Sequence, residues 1–422
     1  MKITRIALAL ALAGISVGAN ATNGYFGHGY GMKAKGMAGA ATTNTDDAFF
    51  GANNPAAAAF AGNRIDLGVD LFSPIREANR NWGGPTEHVE SDSNYFLVPE
   101  FGYNKMINPN LALGVTVYGN GGMNTDYAPN SFFGPGSNML GGGGRLGVDL
   151  MQLIVAPTAA YKVAPNHSIG ISPLLGYQRF KAEGLQGFGV INPAAADGNW
   201  GYDDTFGYGV RIGYLGKVTP TITIGAAYAS KMNFDEMDKY AGLFAEQGDF
   251  DIPENYNVGV SWQATPALKV ALDYQRINYS GVNAVSNPTS NMFIPAPLGA
   301  DNGPGFGWDD MDIWKLGVEY KYSSTWTLRA GYSHTDAPMK GSDCSTLPDC
   351  GEVTFNILAP ATIEDHITLG FTYTRANGDE ITAAYMHGFE NDISGVNPFF
   401  GGPTDNIKMH QNSLGIQYSW KM

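Results

Sequence analysis

The stretch Trp314-Lys-Leu-Gly-Val-Glu-Tyr-Lys-Tyr322 decides the fold, because every second residue in it is large and apolar or aromatic. The residues between them are charged or, in the case of glycine, lack a side chain. Side chains on a β-strand alternate between two faces, so the pattern predicts a strand with one apolar and one polar face. The same alternation recurs at 266–275, 326–333 and 413–421.

Working outward from this stretch, turn-forming segments divide the chain into fourteen predicted strands. Short turns that often carry proline alternate with long loops rich in Gly, Asn, Asp and Pro, and the strands run about 10 to 16 residues, longer than in most soluble sheets. An even strand count with short turns on one side and long loops on the other is typical of bacterial outer-membrane barrels. The predicted strands are 63–79, 93–106, 110–121, 150–163, 167–185, 203–217, 220–234, 251–264, 266–280, 311–323, 325–337, 361–376, 379–390 and 408–422.

The apolar faces place Tyr and Trp near the strand ends, where a bilayer interface carries aromatic girdles. A soluble β-sandwich also alternates, but a lipid-facing exterior and a polar lumen explain long strands with aromatic ends more simply. Closure into a barrel satisfies every backbone group, as lipid requires. We therefore expect an all-β protein, a transmembrane 14-stranded antiparallel β-barrel.

Composition excludes several other classes. The 422 residues include 56 Gly, 22 Tyr, 22 Phe and 7 Trp, and charged residues make up 15%. The net charge of −14 disfavours a nucleic-acid partner. Mean hydropathy is −0.16, and after residue 21 no stretch approaches 18 apolar residues, which excludes a membrane-spanning helix.

The first 21 residues have the features of a signal peptide. Lys2 and Arg5 precede an apolar run, and Ala19-Asn-Ala21 fits the small-x-small cleavage rule, so Thr22 is the predicted mature start. A membrane anchor is the alternative, but the apolar run from residue 6 to 19 is shorter than the roughly 20 residues needed to span hydrocarbon. The sequence thus predicts export.

Two cysteines, Cys344 and Cys350, lie six residues apart in a polar segment. In an oxidising compartment such a pair is expected to close a small loop as a disulfide. A metal site would require more ligands nearby, and none is evident in the sequence. We expect neither a metal nor a cofactor.

Residues 22–62 lack strand alternation and are rich in small residues. Three aromatic residues, Phe49, Phe50 and Phe60, argue against a disordered tail, which is the alternative interpretation. A barrel of fourteen strands has a lumen that must be filled by protein or water. We expect this segment to fold inside the barrel, formed by 63–422, as a plug.

Several short motifs in this segment resemble one known family. They are Asn23-Gly-Tyr-Phe26, the run from Gly31 to Ala40, the pair Asp46-Asp47, and Asn54-Pro55-Ala56. Together they resemble the FadL/TodX family of outer-membrane transporters for long-chain fatty acids and other hydrophobic compounds. The resemblance extends over the whole mature chain through the strand count. The chain departs from many outer-membrane barrels at its C-terminus, where an aromatic residue stands two positions inward, at Trp420.

The resemblance implies a transport mechanism. Asn54, Pro55 and Ala56 match the family's Asn-Pro-Ala hatch motif, so 22–62 is expected to be a movable hatch. Cargo would be captured at outer loops, enter a pocket in the lumen, and leave sideways at a kinked third strand. The implied setting is the outer membrane of a Gram-negative bacterium, with a hydrophobic cargo, lipid, lipopolysaccharide and the barrel assembly machinery as partners, and a monomer as the working unit.

Two loops contain apolar clusters that suit capture, since exposed apolar patches often mark binding surfaces. Packing of each loop against itself is the alternative. The candidate ligand-binding residues are Phe132, Phe133, Met139 and Leu140 in the first loop and Met292, Phe293 and Ile294 in the second.

Gly119, Gly121 and Gly122 in the third predicted strand suit a bulge that interrupts strand pairing, and the family places a lateral opening there. An ordinary strand end is the alternative.

Three lumen-facing cations could recognise a carboxylate head group, although pairing with Asp273 and Glu319 is the expected interpretation. They are Lys269, Lys315 and Arg329.

Two other functions compete with hydrophobic uptake. A general porin would have an open lumen without an N-terminal plug. An outer-membrane lipase-type enzyme would need a nucleophile, a base and an orienting group within mutual reach, yet the seven His are scattered and no Gly-x-Ser-x-Gly elbow is present. We therefore do not expect an enzyme.

Overall fold

The computed structural model describes residues 23–422 apart from 85, 131, 191–198, 294–296 and 346–348. The predicted signal peptide, 1–21, lies outside these residues. The strands are β1 (Arg64–Asn81), β2 (Thr86–Glu90), β3 (Phe96–Met106), β4 (Leu111–Tyr127), β5 (Leu146–Ala164), β6 (His167–Glu183), β7 (Asp203–Lys217), β8 (Ile222–Ala229), β9 (Asn233–Phe234), β10 (Asn255–Gln263), β11 (Leu268–Ile277), β12 (Met311–Lys321), β13 (Trp326–His334), β14 (Asp365–Thr374), β15 (Glu380–Val396) and β16 (Thr404–Lys421).

Fourteen of these strands form a closed antiparallel barrel, which confirms the predicted fold class. Each barrel strand pairs with the next in chain order, and β16 returns to pair with β1 from Arg64↔Lys421 to Asn81↔Thr404. The two remaining strands are short additions, β2 on the outer end of β1 and β9 on β7. Because the last strand pairs with the first, neither terminal strand exposes a row of unpaired backbone groups to lipid.

The barrel is apolar outside and polar inside, the reverse of a soluble protein. On β12, Trp314 is 53% exposed and Leu316 45%, whereas Lys315 and Glu319 between them are 6% and 5% exposed. The alternation read from the sequence therefore assigns apolar side chains to the membrane and charged ones to the lumen.

Four strands run further outward than predicted. β4 continues to Tyr127, β5 begins at Leu146, β15 reaches Val396 and β16 begins at Thr404. The segments beyond the membrane have no lipid face, and on β5 the alternating Leu146, Val148 and Leu150 are buried in the lumen instead. Pairing with a neighbouring strand extends them nonetheless.

The polypeptide before β1 lies inside the barrel, as expected for a plug. Phe49 and Phe50 are buried, and the helix Pro55–Ala59 packs against β5, β6 and β7. The other described helical segments are short as well: Met32–Lys35, Leu185–Val190, Asp238–Tyr240, Ala245–Gly248, Tyr279–Gly281, Asn283–Ser286, Thr289–Phe293 and Glu352–Asn356. Across the described residues, every helix is too short or too polar to span a bilayer.

Candidate transport pathway in the lumen and barrel wall

The outer half of the lumen is filled with apolar side chains from the N-terminal segment and the outer loops. Tyr25 lies at the centre of an aromatic group, with ring centroids 5.3 Å from Tyr279 and 6.0 Å from both Phe250 and Trp308. The Tyr279 hydroxyl donates to the Asn23 carbonyl at 2.7 Å and accepts from the Tyr25 amide. These rings, one of which belongs to the hatch itself, make an apolar interior in the outer half of the lumen.

Asn54, Pro55 and Ala56 fix one end of the hatch. The Asn54 side chain accepts from the Ala56 amide, capping the helix that begins at Pro55. Its Nδ2 donates to the Thr42 carbonyl within the hatch at 2.8 Å and to the Tyr214 carbonyl of β7 at 2.9 Å. One side chain thus both shapes the hatch and attaches it to the wall.

The hatch helix Met32–Lys35 is held by charge instead. The Lys33 Nζ lies 2.7 Å from a carboxylate oxygen of Glu380, and the Lys35 Nζ lies 2.7 Å from Asp70 and 3.1 Å from Glu100. Buried ion pairs contribute little net stability, because desolvation offsets the attraction. These ion pairs therefore attach the hatch specifically rather than strongly.

The barrel wall has a gap between its second and third barrel strands, β3 and β4. These strands pair only from Phe101↔Val117 to Met106↔Ala112, although β3 pairs with β1 up to Phe96 and β4 pairs with β5 up to Tyr127. No described strand pairs with the outer half of β3 on the β4 side. We call the gap between 96–100 and 118–123 the wall gap.

Gly119, Gly121 and Gly122 lie on this gap. The β4–β5 register shifts between Gly119 and Gly121, which leaves Asn120 as an extra, bulged residue. Instead of β3, the hatch pairs with the bulge: the Gly27 amide donates to the Asn120 carbonyl at 3.1 Å, and the Gly122 amide donates to the Tyr25 carbonyl at 3.0 Å. The N-terminal segment thus covers the wall gap from the lumen.

The outer end of the gap is closed by a polar clasp. The Asp92 amide donates to the Asp126 carbonyl at 2.9 Å, and Ser91 bridges to Tyr127. Arg76 of β1 donates to the carbonyls of Asn124 and Ser93. The gap is therefore a bounded window and not a split running to the end of the barrel.

A small polar cavity of about 20 Å³ lies between the hatch and the wall, below the aromatic group. Two buried cations line it, Lys315 and Arg211, and neither has a described carboxylate oxygen within 4 Å. The Lys315 Nζ donates to the Gln275 Oε1 at 2.7 Å, and Arg211 reaches the Asn255 Oδ1 at 3.3 Å. Asp273 also lines the cavity, opposite Lys315 in the strand register, so the lining carries two cations and one carboxylate, a net positive charge that favours an anionic group.

The other two candidate lumen cations are paired, as expected. Glu319 lies opposite Lys269 and Arg329 on neighbouring strands, with its carboxylate oxygens 3.2 Å from the Lys269 Nζ and 2.7 Å from Arg329. Asp273 instead accepts from the amide and hydroxyl of Thr42 in the hatch. Lys315 is thus the one of the three candidates without a described ion pair.

The first candidate loop divides between surface and interior. Phe133 is 43% exposed, but Met139 and Leu140 are fully buried in the outer lumen and do not present a surface. Phe132 packs on the buried Arg80 guanidinium, 5.6 Å from its ring centroid. Met139 and Leu140 therefore belong to the lumen packing, because the loop folds inward.

Sequence reasoning missed the partners of Phe133. Trp82 and Phe400, from two other loops, lie 6.3 Å and 4.7 Å from its ring centroid. Beneath them Arg80 forms a bidentate pair with Asp405, with distances of 2.6 and 2.8 Å. We call Trp82, Phe133 and Phe400 the rim aromatics. The 325-residue separation of Arg80 and Asp405 left no local signal in the sequence.

In the second candidate loop, Met292 packs half-buried against the outer-lumen cluster, and Phe293 ends a short helix. Ile294 lies outside the described residues. Cys344 and Cys350 form a disulfide in the next loop. Within the described residues, no group of three or more His, Cys, Asp or Glu is placed to hold a metal ion.

Solved structures of similar shape are outer-membrane transporters. The Pseudomonas putida toluene transporter TodX matches with a TM-score of 0.70 and 18% identity, covering 94% of this chain and 99% of that one. A Pseudomonas aeruginosa FadL homologue matches at 0.71 and 17%, and the Ralstonia pickettii toluene transporter TbuX at 0.63 and 18%, both with the same coverages. No curated protein sequence matches the chain significantly.

A family model described as outer membrane protein transport protein (OMPP1/FadL/TodX) matches residues 28–394. The match includes most of the hatch and nearly all of the barrel. It agrees with the closed 14-stranded barrel, the lipid-facing exterior and the plugged lumen. The chain therefore belongs to the OMPP1/FadL/TodX family and is an outer-membrane transport protein of the Gram-negative type.

Proposed function

We propose that this protein takes up long-chain fatty acids or similar hydrophobic compounds and releases them sideways into the membrane through the wall gap. The observation that carries the proposal is the gap itself, where β3 and β4 part above Phe101↔Val117 and the hatch supplies the missing hydrogen bonds. An apolar solute gains nothing from a water-filled pore, whereas a lateral exit delivers it to hydrocarbon.

Capture would begin at the rim aromatics and the neighbouring outer loops. The rings of Trp82 and Phe133 are 45% and 43% exposed and rest on a rigid base, since Arg80 beneath them is fully buried and paired. From there the aromatic group around Tyr25 offers a continuous apolar interior. The cargo would have to displace the N-terminal segment from the gap to leave.

The unpaired cations favour an acid over a hydrocarbon as cargo. A fatty acid could place its carboxylate against Lys315 and Arg211 and its chain in the aromatic interior above. Toluene, the substrate named for two of the similar structures, carries no charge to compensate these cations. A monoaromatic cargo is the second candidate, favoured by the rim aromatics.

The test is uptake by cells that lack other transporters of this kind and express the wild type, Lys315→Met, Arg211→Met or Lys321→Met. Lys321 is an exposed control at the other end of β12. We expect uptake of a radiolabelled long-chain fatty acid to fall about tenfold in the first two variants, equivalent to about 1.4 kcal/mol. Uptake of toluene would change little. Equal loss for both cargoes would refute carboxylate recognition, and absence of uptake by the wild type would refute the function.

We also propose transport without catalysis and without a steady aqueous pore. Single-channel recording separates this from a general porin, which would show large, stable ion currents. Esterase assays on refolded protein address the lipase-type alternative. A monomer, inserted by the barrel assembly machinery and surrounded by lipopolysaccharide, is the proposed working state, which crosslinking in membranes would check.

A further inference from the structure

A pair of buried histidines joins the hatch to the barrel wall. His28 of the hatch and His366 of β14 stack with ring centroids 6.0 Å apart and planes inclined by 11°. Their exposures are 3% and 0%. The pair lies beside the hatch segment that covers the wall gap, because His28 directly follows Gly27.

The hydrogen bonding of this pair is incomplete. The Nε2 atoms of both rings have no hydrogen-bond partner among the described residues, and only a 3.3 Å contact with the Ser333 hydroxyl engages the His366 Nδ1. Unsatisfied polar atoms at full burial are uncommon in folded proteins and call for an explanation. Neutral rings tolerate this site far better than charged ones.

The charges around the pair also disfavour protonation. Lys315 of β12 lies close enough to His28 for its Nζ to donate to the His28 carbonyl at 3.3 Å, and Lys35 of the hatch also acts on His28. Burial above all, and then His366, Lys35 and Lys315, lower the pKa of His28 well below its ordinary value.

Carboxylates near the pair are already engaged. Asp70 of β1 and Glu100 of β3 line a small cavity with His28, but both bind Lys35. Asp365, next to His366, accepts from Tyr332 and His334 on the outer face. His387 of β15 is the remaining titratable neighbour. Asp273 of β11 accepts from Thr42 through its Oδ2, has an Oδ1 without a described partner, and lies opposite Lys315 in the strand register. Its charge offsets that of Lys315, so the described carboxylates around the pair already face other cations or donors.

We propose that the His28–His366 pair is a proton-operated latch, which holds the hatch closed when both rings are neutral and releases its first part, 23–40, in acid. Two stacked cations beside Lys315 would repel one another and the wall. Separation would let each ring reach water and would free the wall gap. The inference rests on the proposed role of the hatch as the moving part.

The direction of the pH effect follows from the linkage between proton binding and opening of the hatch. In the open state His28 would titrate near the ordinary histidine value of about 6.5, whereas in the closed state its burial and the nearby cations resist its protonation. Below about pH 6.5 the open state therefore binds more protons than the closed state. For each histidine, the ratio of open to closed molecules then rises by up to about tenfold for every unit by which the pH falls.

Hydrogen exchange of the hatch tests the latch in the intact, refolded protein. Exchange at 23–40 would be compared at pH 7.5 and pH 5, corrected for the intrinsic rate, in the wild type and in the double variant His28→Gln/His366→Gln. His88→Gln is the matched control, since His88 is an exposed histidine on β2, remote from the pair in the fold. We expect acid to accelerate exchange at least tenfold in the wild type and the control, and not in the double variant.

Acid-independent exchange in the wild type, or an acid effect that persists in the double variant, would overturn the proposal. Histidine titration by NMR on selectively labelled wild type covers the case in which the double variant does not fold. Two rings that titrate normally near 6.5 in the closed protein would overturn it as well. None of these measurements involves cargo, so failure of the latch and failure of the transport proposal can be told apart.

Discussion

The barrel has a long wall and a short wall, and they differ in more than length. Strands of the long wall contain 17 to 19 residues and those of the short wall 8 to 11. The long wall comprises β15, β16, β1, β4, β5 and β6, with the 11-residue β3 inserted between β1 and β4, and the short wall comprises β8 and β10 to β14. The 15-residue β7 lies between β6 and β8 and joins the two walls. The short wall is continuous, whereas the long wall contains the gap.

The difference shows what an opening in a β-barrel requires. On the short wall, β11 pairs with both neighbours over nearly its whole length, and Lys269, Glu319 and Arg329 join three strands across the lumen face. On the long wall, the ladder stops where β4 bulges at Asn120, and the hatch takes over the exposed backbone groups. A gap is tolerated where another segment satisfies these groups.

The largest effect should come from closing the gap. In Gly121→Val/Gly122→Val, two β-branched side chains favour regular pairing and crowd the hatch backbone at Phe26. We expect uptake of hydrophobic cargo to fall about tenfold or more, equivalent to about 1.4 kcal/mol or more at the barrier. The measurement is uptake by cells, with folding monitored by heat-dependent gel mobility.

Gly68→Ala serves as the control for this variant, because a Cβ there would meet only ordinary contacts, the nearest at 3.6 Å. Normal uptake by a correctly folded double variant would show that cargo does not leave through the wall gap. The long wall would then have no role in release that the short wall lacks.

A second prediction compares how the long wall and β7 hold the hatch. Lys35→Met leaves Asp70 and Glu100 of the long wall buried without their cation, an unpaired arrangement that typically costs about 3–5 kcal/mol. Asn54→Ala removes one helix cap and one bond to β7, a loss of about 1–2 kcal/mol. Ion leakage in planar bilayers should thus increase strongly in the first variant and slightly in the second.

Lys105→Met, at an exposed position on β3, is the control for leakage. Greater leakage in Asn54→Ala than in Lys35→Met would contradict this prediction. It would mean that the bond to β7 holds the hatch more firmly than the ion pairs of the long wall do.

The sequence predicted the parts of the molecule that touch lipid and missed those that do not. Alternation such as Trp314 to Tyr322 arises because one strand face meets hydrocarbon, so the strand count and barrel followed from it. At the outer end of β5, Leu146 and Val148 alternate too, but they face the lumen and follow a Gly-rich segment that reads as a loop. Among site residues, the Gly119 to Gly122 bend was readable locally, but the rim aromatics come from three separate loops and Arg80 finds Asp405 only after closure.

The smallest predicted effect lies in the outer loops, away from both walls. Burial, and then the nearby charge of Asp349, raises the pKa of Glu352 to about 7, and its Oε2 has no described partner. A raised carboxyl pKa means that the folded loop binds more protons than the unfolded one, so loop stability falls as the pH rises toward 7. Amide exchange at 351–358 should be modestly faster at pH 8 than at pH 6, after intrinsic correction.

In Glu352→Gln this pH dependence should vanish, since the amide cannot ionise. If the difference in exchange between pH 8 and pH 6 persisted in the variant, another titrating group would be its cause. Cargo uptake by the variant is expected to stay near the wild-type level.

Strand length has a consequence for the surrounding bilayer. The 8 and 9 residues of β8 and β10, at about 3.4 Å each and inclined by about 40°, reach only about 20 to 23 Å, less than the roughly 25 Å apolar band of such barrels. Lipid beside them must compress, or the cylinder must lean toward that flank. Leaning would raise the long wall, with its wall gap, relative to the outer leaflet, whereas compression would thin the membrane only at the short wall.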